Sequence, residues 1–161
     1  MLRTLYSRTT FLSVKSKHGF ETTEERSKLM SRIRGTNTKP EVALRKSLWK
    51  LGFRYRLNVA KLPGKPDIVI GKYKLTIFVD GEFWHGFNWI QKKGKIKANR
   101  EYWIPKIERT IKRDKENNVK LMGLGFTVLR FWEQEIKKDL EGCIQAILGT
   151  VDAKSTGKAS E

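Results

Sequence analysis

Two apolar runs decide the fold, and both lie in one stretch of the sequence, DIVIGKYKLTIFVD at 67–80. The runs span 67–70 and 75–80, and both are rich in the branched and aromatic residues that favour strands. Only 71–74 separate them, which is a connection short enough to join antiparallel neighbours. The stretch therefore predicts a β-hairpin.

Each strand of this hairpin carries one aspartate, Asp67 at the start of the first and Asp80 at the end of the second. In one register Ile70 pairs near Leu75; Asp67 then faces Phe78, and Asp80 is its diagonal neighbour. In a register shifted by two residues, Asp67 faces Asp80. Both registers place the carboxylates on one face, because side chains alternate along a strand. A hard divalent cation would relieve their repulsion, but two strand-end acids in water are an equally common reason for such a pair.

Periodic apolar positions on either side of the hairpin predict three helices and two further strands. In chain order the elements are a helix at 38–52, an exposed strand at 53–57, the hairpin, a helix near 104–118, a buried strand at 126–132 and a helix at 136–148. This order predicts an α/β or α+β domain in which helices flank a mixed sheet.

Two helical acids border the apolar faces of their helices. Glu41 lies about 60° from Leu44 around the first helix, which places it beside the inward face. Its alternative role is to close a capping box with Thr38. Asp114 follows the apolar stripe of the second helix at helical spacing, although a solvated acid near a helix end is the commoner explanation of such a position.

One loop brings a histidine and two aromatic residues close to the hairpin. His85 lies five residues past Asp80, where a neutral imidazole could accept a proton from an attacking water. Phe83 and Trp84 cannot both point inward from an extended chain, so one of them can protrude and wedge between bases. The alternatives are a hydrogen-bonded loop histidine and an aromatic pair in the core.

The charge balance points to an anionic partner. The chain has 34 Lys and Arg against 17 Asp and Glu, a net charge of +17. This excess favours nucleic acid over a membrane surface or a merely well-solvated exterior. No apolar run reaches the roughly 18 residues of a membrane span. The single Cys143 excludes an intramolecular disulfide and a Cys-cluster zinc site.

A basic ridge at 91–115 carries ten cationic side chains and three acids. We predict a loop to about residue 100 and then a helix whose cationic side faces away from its isoleucines, and we expect this ridge to contact phosphates. A solvated face would not require one sign of charge. The cations are Lys92, Lys93, Lys95, Lys97, Arg100, Lys106, Arg109, Lys112, Arg113 and Lys115. The predicted DNA-binding set contains all of these except Lys106 and Lys115, together with Lys65 near the hairpin.

The two ends differ in composition from the folded block that we predict at 24–148. Residues 1–20 contain no acid, and we expect 1–23 to form a disordered basic arm; a transit-type peptide and a start codon assigned too early are the alternatives. Residues 149–161 are small and polar and are expected to form a flexible tail.

Several motifs together resemble the very-short-patch repair endonucleases, bacterial enzymes that nick DNA beside a T:G mismatch. The resemblance covers about 24–148, and the Pro-Gly-Lys-Pro-Asp and Phe-Trp-His blocks make it specific. The matching motifs are Ser27-x-x-Met30, Thr38-x-Pro40-Glu41, Leu62-Pro63-Gly64-Lys65-Pro66-Asp67, Ile77-Phe78-Val79-x-Gly81-x-Phe83-Trp84-His85-Gly86, Trp103 with Arg113-Asp114, and Gly125-Phe126-x-Val128-Leu129-x-x-Trp132-Glu133.

The resemblance implies a restriction-endonuclease-like fold of the PD-(D/E)xK superfamily, with one or two Mg²⁺ ions. It implies that Asp67 is the metal carboxylate and that the main-chain carbonyl of Val79 is a second ligand. His85 would be the general base. Glu41 and Asp114 would hold the metal-water shell and orient the histidine.

The resemblance also implies double-stranded DNA as the partner. Met30, Phe83 and Trp84 would wedge into the duplex beside the mismatch. The same resemblance implies a cytoplasmic bacterial monomer that works with mismatch-repair proteins and uses no membrane.

The chain departs from the family at a structural zinc site. The positions that usually supply its Cys and His ligands hold Glu82, Phe87, Trp89 and Gln134. We therefore predict no structural zinc, with aromatic packing by Phe87 and Trp89 in its place.

Asp80 stands where the family usually has a second histidine. A histidine can donate to the scissile phosphate, whereas an ionised aspartate cannot. Our hypothesis is direct metal ligation by both Asp67 and Asp80. The lysine-rich loop at 88–100 also differs, which leaves two alternatives to mismatch repair: a restriction-like or mobile-element endonuclease with another target, and a non-catalytic DNA-binding module.

Overall fold

The computed structural model describes residues 13–15, 21–32 and 35–156. The described chain divides into two units, of which one ends at Gly35 and the other begins at Thr36. The first unit contains an antiparallel strand pair followed by a helix: β1 (Ser13–Lys15), β2 (Glu21–Thr23) and α1 (Glu24–Ser31). The disorder expected for 1–23 is therefore wrong for these two strands, and 1–12 and 16–20 lie outside the described residues.

The second unit is built on a four-stranded mixed sheet, in the order β3-β4-β5-β6. The first three strands are antiparallel, and β5 and β6 are parallel. The strands are β3 (Arg56–Leu57), β4 (Ile68–Ile70), β5 (Leu75–Asp80) and β6 (Thr127–Trp132). This arrangement confirms the predicted α/β fold with a mixed sheet flanked by helices, consistent with a restriction-endonuclease-like fold.

Helices of this unit account for most of the remaining chain. They are α2 (Lys39–Lys50), α3 (Trp89–Lys92), α4 (Arg100–Gly123), α5 (Glu133–Lys138) and α6 (Leu140–Thr156). Gly52, with φ of +86°, ends α2 as predicted, whereas the exposed strand predicted at 53–57 is shorter, because only two of its residues pair with β4. In the part of the chain that is described, no helix is long and apolar enough to cross a membrane.

The hairpin pairs in the first of the two predicted registers, with Ile70 opposite Leu75 and Ile68 opposite Ile77. Its connection is one turn of 3-10 helix, Gly71–Tyr73, followed by Lys74 in the left-handed conformation. Every residue of β4 and β5 is buried, because β5 lies between two strands and helices cover the sheet. The two faces of β5 nevertheless have different neighbours.

One face of β5 belongs to the hydrophobic core. Leu75, Ile77 and Val79 pack there in one cluster with apolar residues of α2 and α6, such as Leu44 and Ile147. Burial of each such aliphatic side chain stabilises the fold by about 1.5–3 kcal/mol. The alternate positions of β5, which end at Asp80, face away from this core, so the apolar positions of the strand determine where its carboxylate points.

Helix α6 extends farther than expected. It continues to Thr156, and Val151 is buried against the core. Residues 149–156, predicted as part of a flexible tail, are helical instead, because Val151 lies one helical turn after Ile147 and is buried in the same core cluster. Residues 157–161 lie outside the described chain.

Candidate active site

The carboxylate of Asp67 lies just before β4 and is fixed to the neighbouring strand. Its Oδ2 accepts a hydrogen bond of 2.8 Å from the backbone N–H of Val79. Burial raises the pKa of Asp67 to about 6, the negative charges of Glu41 and Asp80 act in the same direction, and the hydrogen bond from Val79 opposes them. Such a carboxylate gains most from a cation placed beside it.

Glu41 is buried, and two donors of the preceding turn hold its carboxylate. The backbone N–H of Asn37 donates to Oε2 at 2.8 Å, and the hydroxyl of Thr38 donates to Oε1 at 3.2 Å. The capping box predicted with Thr38 is wrong, since the Thr38 side chain caps no helical N–H. The physical reason is the entry turn: Asn37 has φ of +57° and presents its own N–H to the glutamate.

The imidazole of His85 lies between two acids. Its Nδ1 is 2.6 Å from Oδ2 of Asp114 and 3.3 Å from Oδ1 of Asp80. An ionised carboxylate can only accept a hydrogen bond, so Nδ1 carries a proton, and in the neutral imidazole the lone pair is then on Nε2. Burial works to raise the pKa of Asp114, but the hydrogen bond from His85 and the charge of Arg130 hold this pKa below its usual range.

A close approach of backbone to helix brings His85 to Asp114. Gly86 has φ of +72°, and a Cβ at this position would lie 2.5 Å from Cδ1 of Ile111 and 3.2 Å from Cγ2 of Ile107. Ile107, Ile111 and Asp114 follow one another at helical spacing along α4. The glycine thus lets the loop touch the helix one turn before the acid that receives the histidine.

Sequence reasoning missed Arg130, which lies in β6 and completes the site. Its Nε and Nη2 donate to the two carboxylate oxygens of Asp80 at 2.6 and 2.8 Å. The parallel pairing of β5 and β6 sets Arg130 opposite Phe78, so it shares the face of Asp80. An arginine inside an apolar strand needs a partner, and that signal was available in the sequence.

The predicted metal residues do not form a complete ligand cluster by themselves. Among the described residues, no group of three or more His, Cys, Asp and Glu side chains is arranged to hold a metal ion. Asp67 nevertheless offers a half-buried oxygen ligand close to two other negative charges, those of Glu41 and Asp80. This donor chemistry fits a hard divalent ion such as Mg²⁺, which takes one or two carboxylates and keeps several waters.

The aromatic pair predicted as a wedge belongs to a larger cluster. Phe83, Trp84 and Trp103 contact one another edge to face, with ring centroids 5.2 to 5.6 Å apart. The ammonium group of Lys106 lies 5.6 Å from the Trp84 ring centroid. Phe83 remains 45% exposed, so it protrudes while its neighbour packs. Met30 lies in α1, and its side chain is outside what the structure describes.

The basic ridge follows α3, its loop and the outer side of α4. Lys93 is half-buried and pairs with Glu108 at 2.5 Å, and Nη1 of Arg100 donates to the carbonyl of Ile96 at 2.6 Å. The other cations of the predicted DNA-binding set are exposed: Lys65, Lys92, Lys95, Lys97, Arg109, Lys112 and Arg113, together with Arg100. Ile107 is buried on the opposite side of α4.

The four residues at the family's usual zinc-ligand positions make contacts within the protein. The backbone N–H of Gln134 donates to Oε1 of Glu82 at 2.6 Å, and Phe87 packs on Trp132 with ring centroids 5.0 Å apart. The indole N–H of Trp89 donates to Oε1 of Glu108 at 3.4 Å, and the aromatic packing expected of Trp89 stays a prediction. The absence of zinc itself stays a prediction.

Comparison with known proteins places these features in a family. A family model described as DNA mismatch endonuclease Vsr matches residues 19–91. The type II nicking enzyme V.NmeDIP of Neisseria meningitidis serogroup C is 48% identical over 133 residues, which cover 83% of this chain and 90% of the relative.

Two further relatives support the same assignment. The type II nicking enzyme V.HpaIIP of Haemophilus parainfluenzae is 45% identical over 121 residues, 74% of this chain and 86% of the relative. The DNA mismatch endonuclease Vsr of Escherichia coli (strain K12) is 38% identical over 109 residues, 67% of this chain and 69% of the relative.

Proposed function

Because the chain belongs to the Vsr family of very-short-patch repair endonucleases and is a hydrolase that cleaves DNA, we propose that it nicks one strand of duplex DNA beside a T:G mismatch, with Mg²⁺ as its cofactor. One observation carries this proposal: the imidazole of His85 is held at Nδ1 by Asp114, and its charge acts on the half-buried carboxylate of Asp67. A proton acceptor and an oxygen ligand thus share one site. The names of two relatives describe nicking enzymes, which supports cleavage of a single strand.

In the proposed reaction His85 takes a proton from the attacking water through Nε2, while Asp114 holds Nδ1. Asp67 and the carbonyl of Val79 are the proposed metal ligands, and Glu41 would hold waters bound to the metal. A bound Mg²⁺ would stabilise the charge that develops on the phosphate. Besides these residues, the carboxylate of Asp80 remains the hypothetical second acidic ligand.

The basic ridge and Lys65 would hold the phosphate backbone, and the exposed ring of Phe83 with Trp84 and Met30 would enter the duplex at the mismatch. The ridge supports this role because most of its cationic side chains are exposed and cations outnumber acids in it by ten to three. We further propose that the enzyme acts as a monomer in the bacterial cytoplasm, with mismatch-repair proteins as partners.

The test uses end-labelled duplexes that differ in a single base pair, T:G or T:A, together with the single strands, each with Mg²⁺ or EDTA. We expect one nick in the strand that carries the mismatched T of the T:G duplex, and only with Mg²⁺. Asp67→Asn should abolish it, whereas Asp152→Asn, at an exposed position of α6, should not. Equal nicking of the T:A duplex would favour a restriction-like or mobile-element nuclease, and binding without cleavage would favour a non-catalytic module.

A further inference from the structure

We propose that Arg130 is a positioning residue of this active site, which holds Asp80 beside the Nδ1 atom of His85 and thereby withholds Asp80 from the metal. The inference rests on the proposed function, because it assigns roles within the same catalytic site. It revises the hypothesis of direct metal ligation by Asp80.

The guanidinium group binds Asp80 with two parallel hydrogen bonds. Nε lies 2.6 Å from Oδ2, and Nη2 lies 2.8 Å from Oδ1. Asp80 itself is 4% exposed. Two-pronged bonds between arginine and carboxylate are charge-assisted and fix orientation as well as distance. Both oxygens of Asp80 are therefore already directed at a cation of the protein.

Arg130 is itself held from several sides. Its Nη1 donates to Oδ1 of Asn118 in α4 at 3.0 Å, and its guanidinium carbon lies 4.4 Å from the ring centroid of Phe78 in β5. The arginine thus joins β6, β5 and α4. A fork anchored on three elements has one orientation, as positioning of a carboxylate requires.

His85, Asp80, Arg130 and Asp114 are linked in a closed cycle of contacts. Nη2 of Arg130 lies 3.4 Å from Oδ2 of Asp114 as well as 2.8 Å from Oδ1 of Asp80. These same two oxygens lie 2.6 and 3.3 Å from Nδ1 of His85. One guanidinium nitrogen and one imidazole nitrogen therefore share both acids, so movement of Asp80 would disturb the histidine.

Positive charge is unevenly distributed over the acids of the site. Arg130 pairs with Asp80 and approaches Asp114. Asp67 and Glu41 are bound by a backbone N–H or a hydroxyl, and within the described chain neither makes an ion pair with a basic side chain. The uncompensated pair is where a divalent ion would relieve most repulsion. The compensated pair is suited to orienting the base.

The first test is spectroscopic and needs neither DNA nor metal. The chain has two histidines, so imidazole ¹H–¹⁵N correlation spectra contain two spin systems, and His85→Gln assigns them. We expect the His85 ring signals to shift in Arg130→Lys and in Asp80→Asn, because each breaks the two-pronged bond. Unchanged His85 signals in folded Arg130→Lys would show that the arginine serves the fold alone and would overturn the proposal.

The second test separates the two roles of Asp80 by the Mg²⁺ dependence of single-turnover nicking. Positioning predicts that Arg130→Lys and Asp80→Asn each lower the rate by about 10- to 100-fold. The half-saturating Mg²⁺ concentration and the DNA dissociation constant should stay within about twofold of wild type. Direct ligation predicts instead that Asp80→Asn raises this Mg²⁺ concentration at least tenfold and that Arg130→Gln lowers it; either result overturns the proposal.

Two variants guard against loss of the fold. Arg130→Gln alone leaves the buried carboxylate of Asp80 without its arginine partner, whereas Asp80→Asn with Arg130→Gln leaves a neutral pair, so the double variant should be the more stable of the two in urea. If the changes that the two substitutions make in the free energy of unfolding were simply additive in the double variant, the pairing of Asp80 with Arg130 would be contradicted. Arg54→Gln, an exposed arginine outside the site, is the matched control.

The two proposals can fail separately. If the wild-type enzyme nicks no T:G duplex in preference to T:A, the proposed target is wrong, while the spectra and the stability of the double variant still decide the role of Arg130. If T:G nicking is found and the His85 signals do not respond to Arg130→Lys, only the positioning role is lost.

Discussion

The Nδ1 atom of His85 lies 2.6 Å from Oδ2 of Asp114, a residue 29 positions further along the chain. This contact joins the loop after β5 to the middle of α4. It directs the N–H of Nδ1 at the carboxylate, so that in the neutral imidazole the lone pair is on Nε2. The chemistry of the site therefore depends on how closely loop and helix approach.

Asp114→Asn should lower the nicking rate by about 10²–10⁴-fold. An amide can donate to Nδ1, which favours the imidazole tautomer with its proton on Nε2 and removes the base. Single-turnover nicking measures the change, and DNA binding should be unaffected. Asp152→Asn is the control and should nick at the wild-type rate. If Asp114→Asn nicked within threefold of the wild-type rate, the contact between His85 and Asp114 would not orient the base.

Asp67→Asn should make the metal-free protein more stable above pH 6. The pKa of Asp67 is raised from 3.8 to about 6 in the folded state, so the folded protein holds more protons than the unfolded chain between these values. The contribution of this group therefore makes stability fall as pH rises from about 4 to about 6. Urea unfolding in EDTA should show that the variant gains about 2 kcal/mol over wild type across this window.

The matching result at low pH is the control for this prediction. Below pH 4 both states of wild type carry a protonated Asp67, so the advantage of the variant should disappear. A difference in stability that does not change between pH 4 and pH 7 would contradict the raised pKa.

Gly86→Ala should reduce both stability and nicking. The glycine has φ of +72°, and an added Cβ would lie 2.5 Å from Cδ1 of Ile111. Left-handed backbone together with a steric clash should cost about 1–3 kcal/mol, and the displaced loop should separate His85 from Asp114. Gly149→Ala is a matched control in α6, because its Cβ would meet nothing within 4 Å.

The control variant should be slightly stabilised, since alanine favours a helix over glycine by about 1 kcal/mol. Combination of Gly86→Ala with Ile111→Ala should recover part of the lost activity by removing the clash. Full activity in Gly86→Ala alone would show that the close approach does not position the histidine.

Binding to duplex DNA should weaken steeply with salt, and substitutions on the basic ridge should reduce this dependence. Lys112→Ala and Arg109→Ala remove exposed cations of α4. Each should lower the slope of log K against log salt by about one, for matched and mismatched DNA alike. Lys50 is an exposed cation of α2, and Lys50→Ala should leave the slope unchanged. If Lys50→Ala lowered the slope as much as the ridge substitutions do, general charge attraction would explain the binding.

Purified protein should contain no stoichiometric zinc. The carboxylate of Glu82 accepts a hydrogen bond of 2.6 Å from the backbone N–H of Gln134, and Phe87 packs on Trp132. These contacts join the two segments that a zinc ion would otherwise connect. Metal analysis after expression with added zinc measures this directly. One zinc per chain that resists dialysis would refute the prediction.

Local periodicity was enough to predict the hairpin and the direction of its acids. Strand alternation placed Asp67 and Asp80 on one face, and helical spacing placed Glu41 and Asp114 beside apolar stripes, because these relations depend only on nearby residues. The same reasoning failed at the capping box of Thr38, where the backbone of the preceding turn supplies the donor instead.

The sequence by itself determined the family, the hairpin and the candidate acids of the site, since each is a pattern within a short window. Only the tertiary structure decided that Arg130 pairs with Asp80, because the parallel pairing of β5 and β6 brings together residues 50 positions apart. Tertiary packing also decided that His85 reaches Asp114. Charge-assisted contacts of this kind depend on distances of a few ångströms between separate elements, which no local spacing encodes.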